Sequence, residues 1–214
     1  IAIDGPSASG KGTVAARVAA ALGFGYLDSG ALYRLTAFAA KQAAVDWSDE
    51  AGVAAVAAAL DVEFSENDIR LNGHLVGDAI RTEEISSGAS KVAALPKVRD
   101  ALLFRQRTFN RSPGVVGDGR DMASVVFPQA ALKVFLTASP EARAERRYKQ
   151  LIEKGLSANL PDLLLDLQQR DERDSQRSVA PLRQEVDAKL LDTTELTIEQ
   201  AVSQVLVWSK EALQ

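Results

Sequence analysis

The sequence predicts an α/β fold: a doubly wound, five-stranded parallel sheet with a small inserted antiparallel sheet and a helical lid. Short apolar segments alternate with helical stretches from the first residues onward, which is the order that parallel strands joined by helices produce. Near residues 61–80 the pattern changes to short alternating segments, which are typical of antiparallel strands. With 214 residues, the chain is long enough to bury such a core without cross-links.

The parallel sheet begins with one strand-helix-strand unit. Residues 1–4 form an apolar strand that runs into a glycine-rich loop, and the helix predicted at residues 14–22 stops at Gly23, a residue suited to the end of a helix. A second strand at residues 24–27 leads to a helix from residue 31 to about residue 44. Three later apolar runs complete the five strands: residues 114–117, 132–136 and 189–191.

The inserted sheet is predicted from three short segments, residues 62–64, 69–71 and 74–76, which are separated by Glu66-Asn67-Asp68 and by Asn72-Gly73. Asn-Gly between alternating segments is a strong signal for a β-hairpin. The single histidine, His74, follows that turn directly. We interpret it as an exposed hairpin residue and not as a catalyst.

Composition narrows the chemistry that the chain can perform. The sequence has no Cys, one His and a formal net charge of −4. These counts exclude disulfides, thiol nucleophiles, Cys-ligated metals and multi-histidine metal sites. The charge argues against nucleic acid polymers and anionic membranes as partners. The chain begins without an initiator Met, so we expect a few native residues before Ile1. Since no signal-peptide pattern precedes the first strand, we expect a cytoplasmic location.

The glycine-rich loop has the P-loop pattern Gly-x4-Gly-Lys, placed between a strand and a helix as that motif requires. Its members are Gly5, Pro6, Ser7, Ala8, Ser9, Gly10, Lys11, Gly12 and Thr13. Backbone N–H groups of such a loop point inward at phosphate, and Lys11 is placed to reach the β- and γ-phosphates. Thr13 is a candidate hydroxyl ligand for Mg²⁺. Gly12 stands where the strict pattern has Ser or Thr, a departure shared with nucleoside monophosphate kinases.

A P-loop alone leaves several classes of protein open. A GTPase needs the guanine-reading pattern Asn-Lys-x-Asp, which the sequence lacks. A motor or switch is expected to act on a further domain, for which this chain has little spare length. A kinase for a small molecule needs a second site that holds the acceptor.

Two segments are candidates for that acceptor site. Asp28-Ser29-Gly30-Ala31-Leu32-Tyr33-Arg34 follows the second strand, at the sheet edge where ligands bind. Its hydroxyl, phenol and guanidinium lie within one helical turn and could converge on an anion; the alternative is a solvated helix start with Tyr33 in the core. Gly117-Asp118-Gly119-Arg120-Asp121 closes the third core strand.

In this second segment Asp118 suits a Mg²⁺ ligand, partly through water. Asp121 could accept from the N4 amino group of cytosine while an arginine serves N3 or O2. Uracil has an acceptor in place of N4, which would leave the carboxylate unpaired, at a cost of about 1–3 kcal/mol. The alternative is that Arg120 and Asp121 simply pair with each other.

The lid is predicted from arginine placement. Seven of the sixteen arginines fall between Arg143 and Arg183, and six of these seven lie on helical segments predicted at residues 140–154 and 161 to about 177. On the second segment Arg170, Asp174 and Arg177 share one face. They could stabilise a transferring phosphoryl group while a closing lid excludes water; an exposed stripe of ion pairs is the alternative.

Taken together, the P-loop, Asp28-Ser29-Gly30-x-x-Tyr33-Arg34, Ile80-Arg81-Thr82, Asp118-Gly119-Arg120-Asp121 and Arg170-Asp171-x-Arg173-Asp174 resemble the bacterial cytidylate kinases over essentially the whole chain. The resemblance implies one nucleoside monophosphate kinase domain, with a core at residues 1–30 and 112–214, a monophosphate-binding insertion at about 31–111 that contains the small sheet, and a lid at about 146–162.

The resemblance also implies roles for individual residues. The acceptor's phosphate side is assigned to Ser29, Tyr33, Arg34, Arg120 and Arg177. The cytosine edge is assigned to Ser90, Arg99 and Asp121, the ribose to Asp174 and Arg170, and the neighbourhood of the ATP base to Arg146. Catalysis is assigned to Lys11, Asp118, Arg120 and Arg177.

The sequence therefore predicts a monomeric, Mg²⁺-dependent kinase that transfers the γ-phosphoryl group of ATP directly to CMP or dCMP. The closest alternative is a P-loop kinase for another small acceptor, such as UMP, AMP or a non-nucleotide acid. A regulatory module that binds nucleotides without transfer is disfavoured by Lys11, Asp118 and the arginines of the lid.

Overall fold

The computed structural model of the chain describes residues 1–64, 68–153 and 155–213. Contacts between Cα atoms divide the chain into two compact units. The first consists of Ile1–Leu27 and Phe109–Gln214, and the second of Asp28–Thr108.

The described residues form strands and helices as follows. The strands are β1 (Ala2–Asp4), β2 (Gly25–Asp28), β3 (Val62–Phe64), β4 (Ile69–Leu71), β5 (His74–Leu75), β6 (Val115–Gly119), β7 (Lys133–Thr137) and β8 (Lys189–Asp192). The α-helices are α1 (Lys11–Leu22), α2 (Ser29–Gln42), α3 (Glu50–Ala58), α4 (Glu83–Val92), α5 (Pro96–Arg107), α6 (Pro140–Glu153), α7 (Leu160–Gln176) and α8 (Ile198–Ala212). Ala79–Arg81 form a 3₁₀ turn and Met122–Val126 a π-helix.

The predicted five-stranded parallel sheet is confirmed, with the strand order β2-β6-β1-β7-β8. Strand β1 lies at its centre and pairs in parallel with β6 and with β7. In this register Asp4 is opposite Gly119 on one side and Phe135 on the other. The end of β1, where the P-loop starts, therefore lies beside the end of β6.

Strand β6 extends further than the sequence predicted. The prediction stopped at Gly117 because a Gly-Asp-Gly run has low strand propensity. In the structure the strand continues through Asp118 to Gly119, and all five of its residues are buried. Asp118 is thus held by the sheet and not by a loop.

Helix α1 begins at Lys11, three residues before the predicted start. Gly10 precedes it in a left-handed conformation, with φ of 92°, which glycine adopts without steric cost. Val14, Val18 and Val205 of α8 join the buried core on the sheet. Helix α8 starts with a capping box, because the Thr197 hydroxyl and the Gln200 side chain each accept from the other's backbone N–H.

The small sheet is also confirmed: β3, β4 and β5 are antiparallel neighbours in that order. Asn72 and Gly73 both have positive φ, 50° and 76°, as a type I′ hairpin turn requires. His74 is exposed in β5, as expected. The other predicted turn includes Glu66 and Asn67, which lie outside the described residues.

Helices α3, α4 and α5 of the second unit were missed by the sequence analysis. Helix α3 is rich in alanine and has little amphipathic periodicity. Helix α4 is capped by Thr82, whose hydroxyl accepts from Ile85 N at 3.3 Å, and α5 starts at Pro96. The predicted arginine-rich helices are present as α6 and α7; Lys154, the predicted end of the first, lies outside the described residues. Within the described ranges, no helix combines the length and apolar character needed to cross a bilayer.

Gly5 is required by close packing at the sheet. A Cβ atom added to it would lie 1.9 Å from the carbonyl oxygen of Leu136, so Gly5→Ala must force apart two central backbone segments. We expect it to lower the free energy of unfolding by about 3 kcal/mol, measured by urea denaturation. Gly25→Ala is the matched control, because its Cβ would lie at an ordinary 3.6 Å from Gly114 O. Equal stabilities of the two variants would contradict this explanation.

Candidate active site

The P-loop joins β1 to α1 and has the backbone geometry of an anion-binding loop. Ala8 and Gly10 have positive φ, 58° and 92°, and such residues turn successive N–H groups toward one point. Ser9 Oγ is buried and makes no hydrogen bond within the described structure, so it is available to a ligand. The Nζ atom of Lys11 donates to Pro6 O at 3.1 Å. The loop, its lysine and the start of α1 can together bind phosphate.

Two carbonyl groups of the loop accept from two arginines of α6. Arg143, 3% exposed, donates to Ser7 O at 3.1 Å and to the Asp171 carboxylate at 3.1 and 2.5 Å. Arg146 donates to Ser9 O at 3.2 Å and to Thr193 O at 2.5 Å. Arg143 therefore fixes the loop through protein partners. Asp171 and Thr193 were not identified from the sequence.

Asp118 lies beside the P-loop and fits a role in holding a divalent cation. It is 5% exposed, and its Oδ1 atom accepts from the Tyr26 hydroxyl at 2.7 Å. Its Oδ2 atom lies 3.8 Å from the place where a Cβ on Gly12 would stand. Thr13 is exposed on the first turn of α1. Carboxylate and hydroxyl oxygens are the ligands that Mg²⁺ prefers, completed by water and substrate phosphates.

No cluster of three or more acidic, His or Cys side chains that could hold a metal occurs among the described residues. A single carboxylate beside a phosphate loop is nevertheless sufficient where phosphates and water supply the other ligands. Tyr26, which orients that carboxylate, was not identified from the sequence.

Arg120 connects the P-loop with α7. Its Nε atom donates to Asp174 Oδ2 at 2.7 Å, and its Nη2 atom donates to Ser7 Oγ at 2.7 Å. The structure therefore pairs Arg120 with Asp174, and the alternative pairing with Asp121 is not observed. Burial opposes the charged form of both groups, but their mutual attraction is stronger: the pKa of Arg120 is raised and the pKa of Asp174 is lowered.

Asp174 is the centre of an arginine cluster in the first unit. Besides Arg120, the charges of Arg177 and Arg170 lower its pKa. Arg177 also approaches a second carboxylate, since its Nη2 atom is 3.9 Å from Asp121 Oδ1 and both side chains are almost fully buried; its Nε atom donates to Ala180 O. Three guanidinium groups thus lie near two carboxylates, and guanidinium groups are well suited to binding a phosphate.

Asp121 is followed by the π-helix, and Asp4 holds the start of that helix. The Asp4 carboxylate, 3% exposed, accepts from Met122 N and Ala123 N, both at 2.8 Å. Burial raises the pKa of Asp4 to about 6 from 3.8; the nearby charge of Asp121 adds to the rise, while the two amides and Arg120 oppose it. The sequence analysis assigned Asp4 to the first strand and gave it no role.

In the second unit, the start of α2 carries three of the predicted residues. Ser29 and Tyr33 are buried, and Arg34 lies one turn along the helix. Asp28 caps the helix by accepting from Ala31 N at 2.8 Å, and its other oxygen accepts from Arg34 Nη2 at 2.6 Å. The Nε atom of Arg34 is buried without a hydrogen bond inside the described structure. Asp28 therefore fixes the guanidinium and leaves part of it for a ligand.

Two further predicted residues of the second unit lie on α4 and α5. The Arg99 guanidinium stacks over the Tyr33 ring, 5.7 Å from its centroid, and Nη1 donates to Ala93 O at 3.1 Å. Ser90 is buried on α4. Tyr33 is 6% exposed, as the core interpretation expected, but its face is covered by a cation. The structure thus brings Tyr33 and Arg99 together.

Comparison with known proteins shows the family of this chain. The family model described as cytidylate kinase matches residues 1–211. The chain belongs to the cytidylate kinase family. A cytidylate kinase of Chromobacterium violaceum is 64% identical over 99% of this chain and 95% of its own length. That of Cupriavidus necator is 59% identical over 97% and 94%, and that of Bordetella pertussis 60% identical over 96% and 92%.

Membership in the cytidylate kinase family makes the chain a transferase, a kinase that binds nucleotides. Among solved structures, an uncharacterized protein from Eubacterium ventriosum has a TM-score of 0.54 at 9% identity and covers 98% of this chain and 96% of its own. At that identity the likeness concerns the fold alone.

The raised pKa of Asp4 predicts a stability that depends on pH. Between about pH 4 and pH 6 the folded protein keeps a proton on Asp4 that the unfolded chain releases, so the contribution of Asp4 to the unfolding free energy falls as pH rises. From about pH 4.5 to about pH 6.5, wild type should lose about 2 kcal/mol relative to Asp4→Asn, measured by urea denaturation. Asp49→Asn, which alters the exposed cap of α3, is the reference. If the unfolding free energy of wild type relative to Asp4→Asn stays constant or rises between these two pH values, the raised pKa is contradicted.

Proposed function

We propose that this chain transfers the γ-phosphoryl group of ATP to CMP and dCMP, giving CDP and dCDP, with Mg²⁺ as the metal. One observation carries the proposal most strongly: Arg120 joins the P-loop, through Ser7 Oγ, to the cluster of Asp174 and its arginines. A phosphate-binding loop in direct contact with a cluster of guanidinium groups suits transfer between two polyanions.

ATP is assigned to the P-loop. The inward N–H groups and Lys11 would bind the β- and γ-phosphates, and Arg146, fixed between Ser9 and Thr193, would lie near the adenine. Thr13 and Asp118 would hold Mg²⁺, partly through water, and the bound cation would neutralise phosphate charge. Tyr26 would keep the Asp118 carboxylate in one orientation through its hydrogen bond.

The acceptor is assigned to residues of both units, each set on its own evidence. In the first unit, Arg120 and Arg177 would bind its phosphate, Asp174 and Arg170 its ribose, and Asp121 the N4 amino group of its cytosine. In the second unit, Ser29, Tyr33 and Arg34 would bind the phosphate, and Ser90 and Arg99 the base. Arg99 is fixed by its stacking on Tyr33, so a base bound there would meet a positioned guanidinium.

The reaction needs little proton transfer. An oxygen of the acceptor's 5′-phosphate forms the new bond to the γ-phosphorus, the bond between that phosphorus and the β–γ bridging oxygen breaks, and its electron pair leaves on ADP. Because the attacking oxygen is already anionic, no strong general base and no covalent enzyme intermediate are required. Positioning and charge neutralisation by Lys11, Arg120 and Arg177 would carry the catalysis.

A panel of nucleotides tests the proposed substrate. With MgATP, we expect CMP and dCMP to have the highest kcat/KM, above UMP, AMP and GMP, followed by coupled detection of ADP. Lys11→Ala serves as the background, since loss of the phosphate-binding ammonium should lower kcat by orders of magnitude without unfolding the chain. Equal rates with AMP would overturn the proposed acceptor, and a near-normal rate for Lys11→Ala would overturn the role of the P-loop.

Base discrimination by Asp121 has its own test. Asp121→Asn should reduce the preference for CMP over UMP by about tenfold to a hundredfold, because an amide can donate to uracil O4 where a carboxylate is left unpaired. The measurement is kcat/KM for both nucleotides at saturating ATP. Asp187→Asn, an exposed carboxylate paired with Lys133, is the control and should keep the ratio. An unchanged ratio in Asp121→Asn would show that another residue reads the base.

A further inference from the structure

We infer that Asp4 is a positioning residue for the acceptor base: its carboxylate holds the backbone that follows Asp121, and so sets how well the chain distinguishes CMP from UMP. The inference rests on the proposed function, in which Asp121 reads cytosine. It assigns no contact between Asp4 and either nucleotide.

Asp4 is anchored in the centre of the parallel sheet. It is the last residue of β1, the central strand, and immediately precedes the P-loop. Its register partner in β6 is Gly119, and Gly5 N donates to Gly119 O at 3.3 Å. The register partner of Asp4 in β7 is Phe135, so strands flank the backbone of Asp4 on both sides.

Asp4 binds two backbone amides at the start of the π-helix. The first N–H groups of a helix have no partner within that helix. In the π-helix the N–H groups of Met122 and Ala123 both donate to the Asp4 carboxylate, one to each oxygen, at 2.8 Å. Asp4 thus provides acceptors for two successive amides from a position 118 residues earlier in the chain.

These two amides belong to the residues that directly follow Asp121. Asp121 precedes the π-helix with φ −149° and ψ 25°, and its carbonyl accepts from Val125 N at 2.9 Å and Val126 N at 3.1 Å. Its backbone is therefore continuous with the segment that Asp4 fixes. Short π-helical turns occur frequently at functional sites, and here the turn determines the direction in which a buried carboxylate leaves the backbone.

The residue type at position 4 also matters. A buried carboxylate is costly, as the raised pKa of Asp4 shows. Asn would have one carbonyl oxygen for the two amides, and its NH₂ group would face a donor. Ser would have one hydroxyl. Two acceptor oxygens side by side in a buried position require a carboxylate. A residue that only filled space would not need both oxygens.

The test separates positioning from general stability. Asp4→Asn should reduce the ratio of kcat/KM for CMP to that for UMP by about threefold to tenfold through a higher KM for CMP, as expected for one weakened hydrogen bond. KM for ATP should stay within about twofold of wild type, because Lys11 and the loop amides are unchanged. Asp49→Asn, a carboxylate cap of α3, is the matched control and should keep both values.

A purely structural Asp4 would lower the amount of active protein and leave both the ratio and the KM values unchanged; this result would overturn the inference. If wild type itself does not prefer CMP, the proposed base reading fails and the inference fails with it. If wild type prefers CMP and Asp4→Asn keeps the full preference, only the inference fails.

A second measurement on wild type covers the case in which Asp4→Asn does not fold. Coupling is reciprocal, so CMP should slow hydrogen exchange at the amides of Met122 and Ala123 more than UMP does at equal saturation. The amide of Gly52, which donates to Asp49 at 3.0 Å, is the internal reference. Equal protection of the two amides by CMP and UMP would overturn the inference.

Discussion

The first unit depends on the guanidinium of Arg120, which contacts two segments distant in sequence, the P-loop and α7, and also the adjacent end of β6. It donates to the P-loop at Ser7, to the carbonyl of Gly119 in β6, and to Asp174 in α7. A planar group with donors on several sides can satisfy all three at once, which an ammonium could not do with the same geometry. Because Arg120 is paired, Asp174 stays ionised although it is buried, and the ionised carboxylate in turn attracts Arg170 and Arg177. Loss of Arg120 would therefore affect the whole cluster.

Two buried carboxylates of the first unit differ because their partners differ. Asp174 is surrounded by guanidinium groups, whereas Asp4 has two backbone amides and a like charge nearby. Amide dipoles compensate burial less than full positive charges do, so the pKa values of the two groups move in opposite directions. The first arrangement brings together guanidinium groups that can bind a phosphate, and the second orders the backbone.

The parts of the fold and site that the sequence predicted are those encoded locally. The P-loop follows from spacing within nine residues, the hairpin from Asn72-Gly73, and the helix that carries Arg170 and Asp174 from its local pattern; Arg177, predicted on the same helical face, lies just beyond α7 in an extended conformation. The missed features depend on residues far apart in sequence. Arg120 and Asp174 are 54 residues apart, and Asp4 and Met122 are 118 apart; neither pair leaves a local pattern. The extension of β6 through Asp118 was missed because tertiary burial overrides the low strand propensity of Gly-Asp-Gly.

The hydrogen bonds accepted by the back of the P-loop have an entropic consequence. Its carbonyl groups at Pro6, Ser7 and Ser9 accept from Lys11, Arg143 and Arg146. A glycine-rich segment loses much conformational freedom when it is ordered. Here the protein's own side chains order the loop as the chain folds, so the loop is already ordered before a nucleotide binds. More of its interaction free energy then remains for affinity.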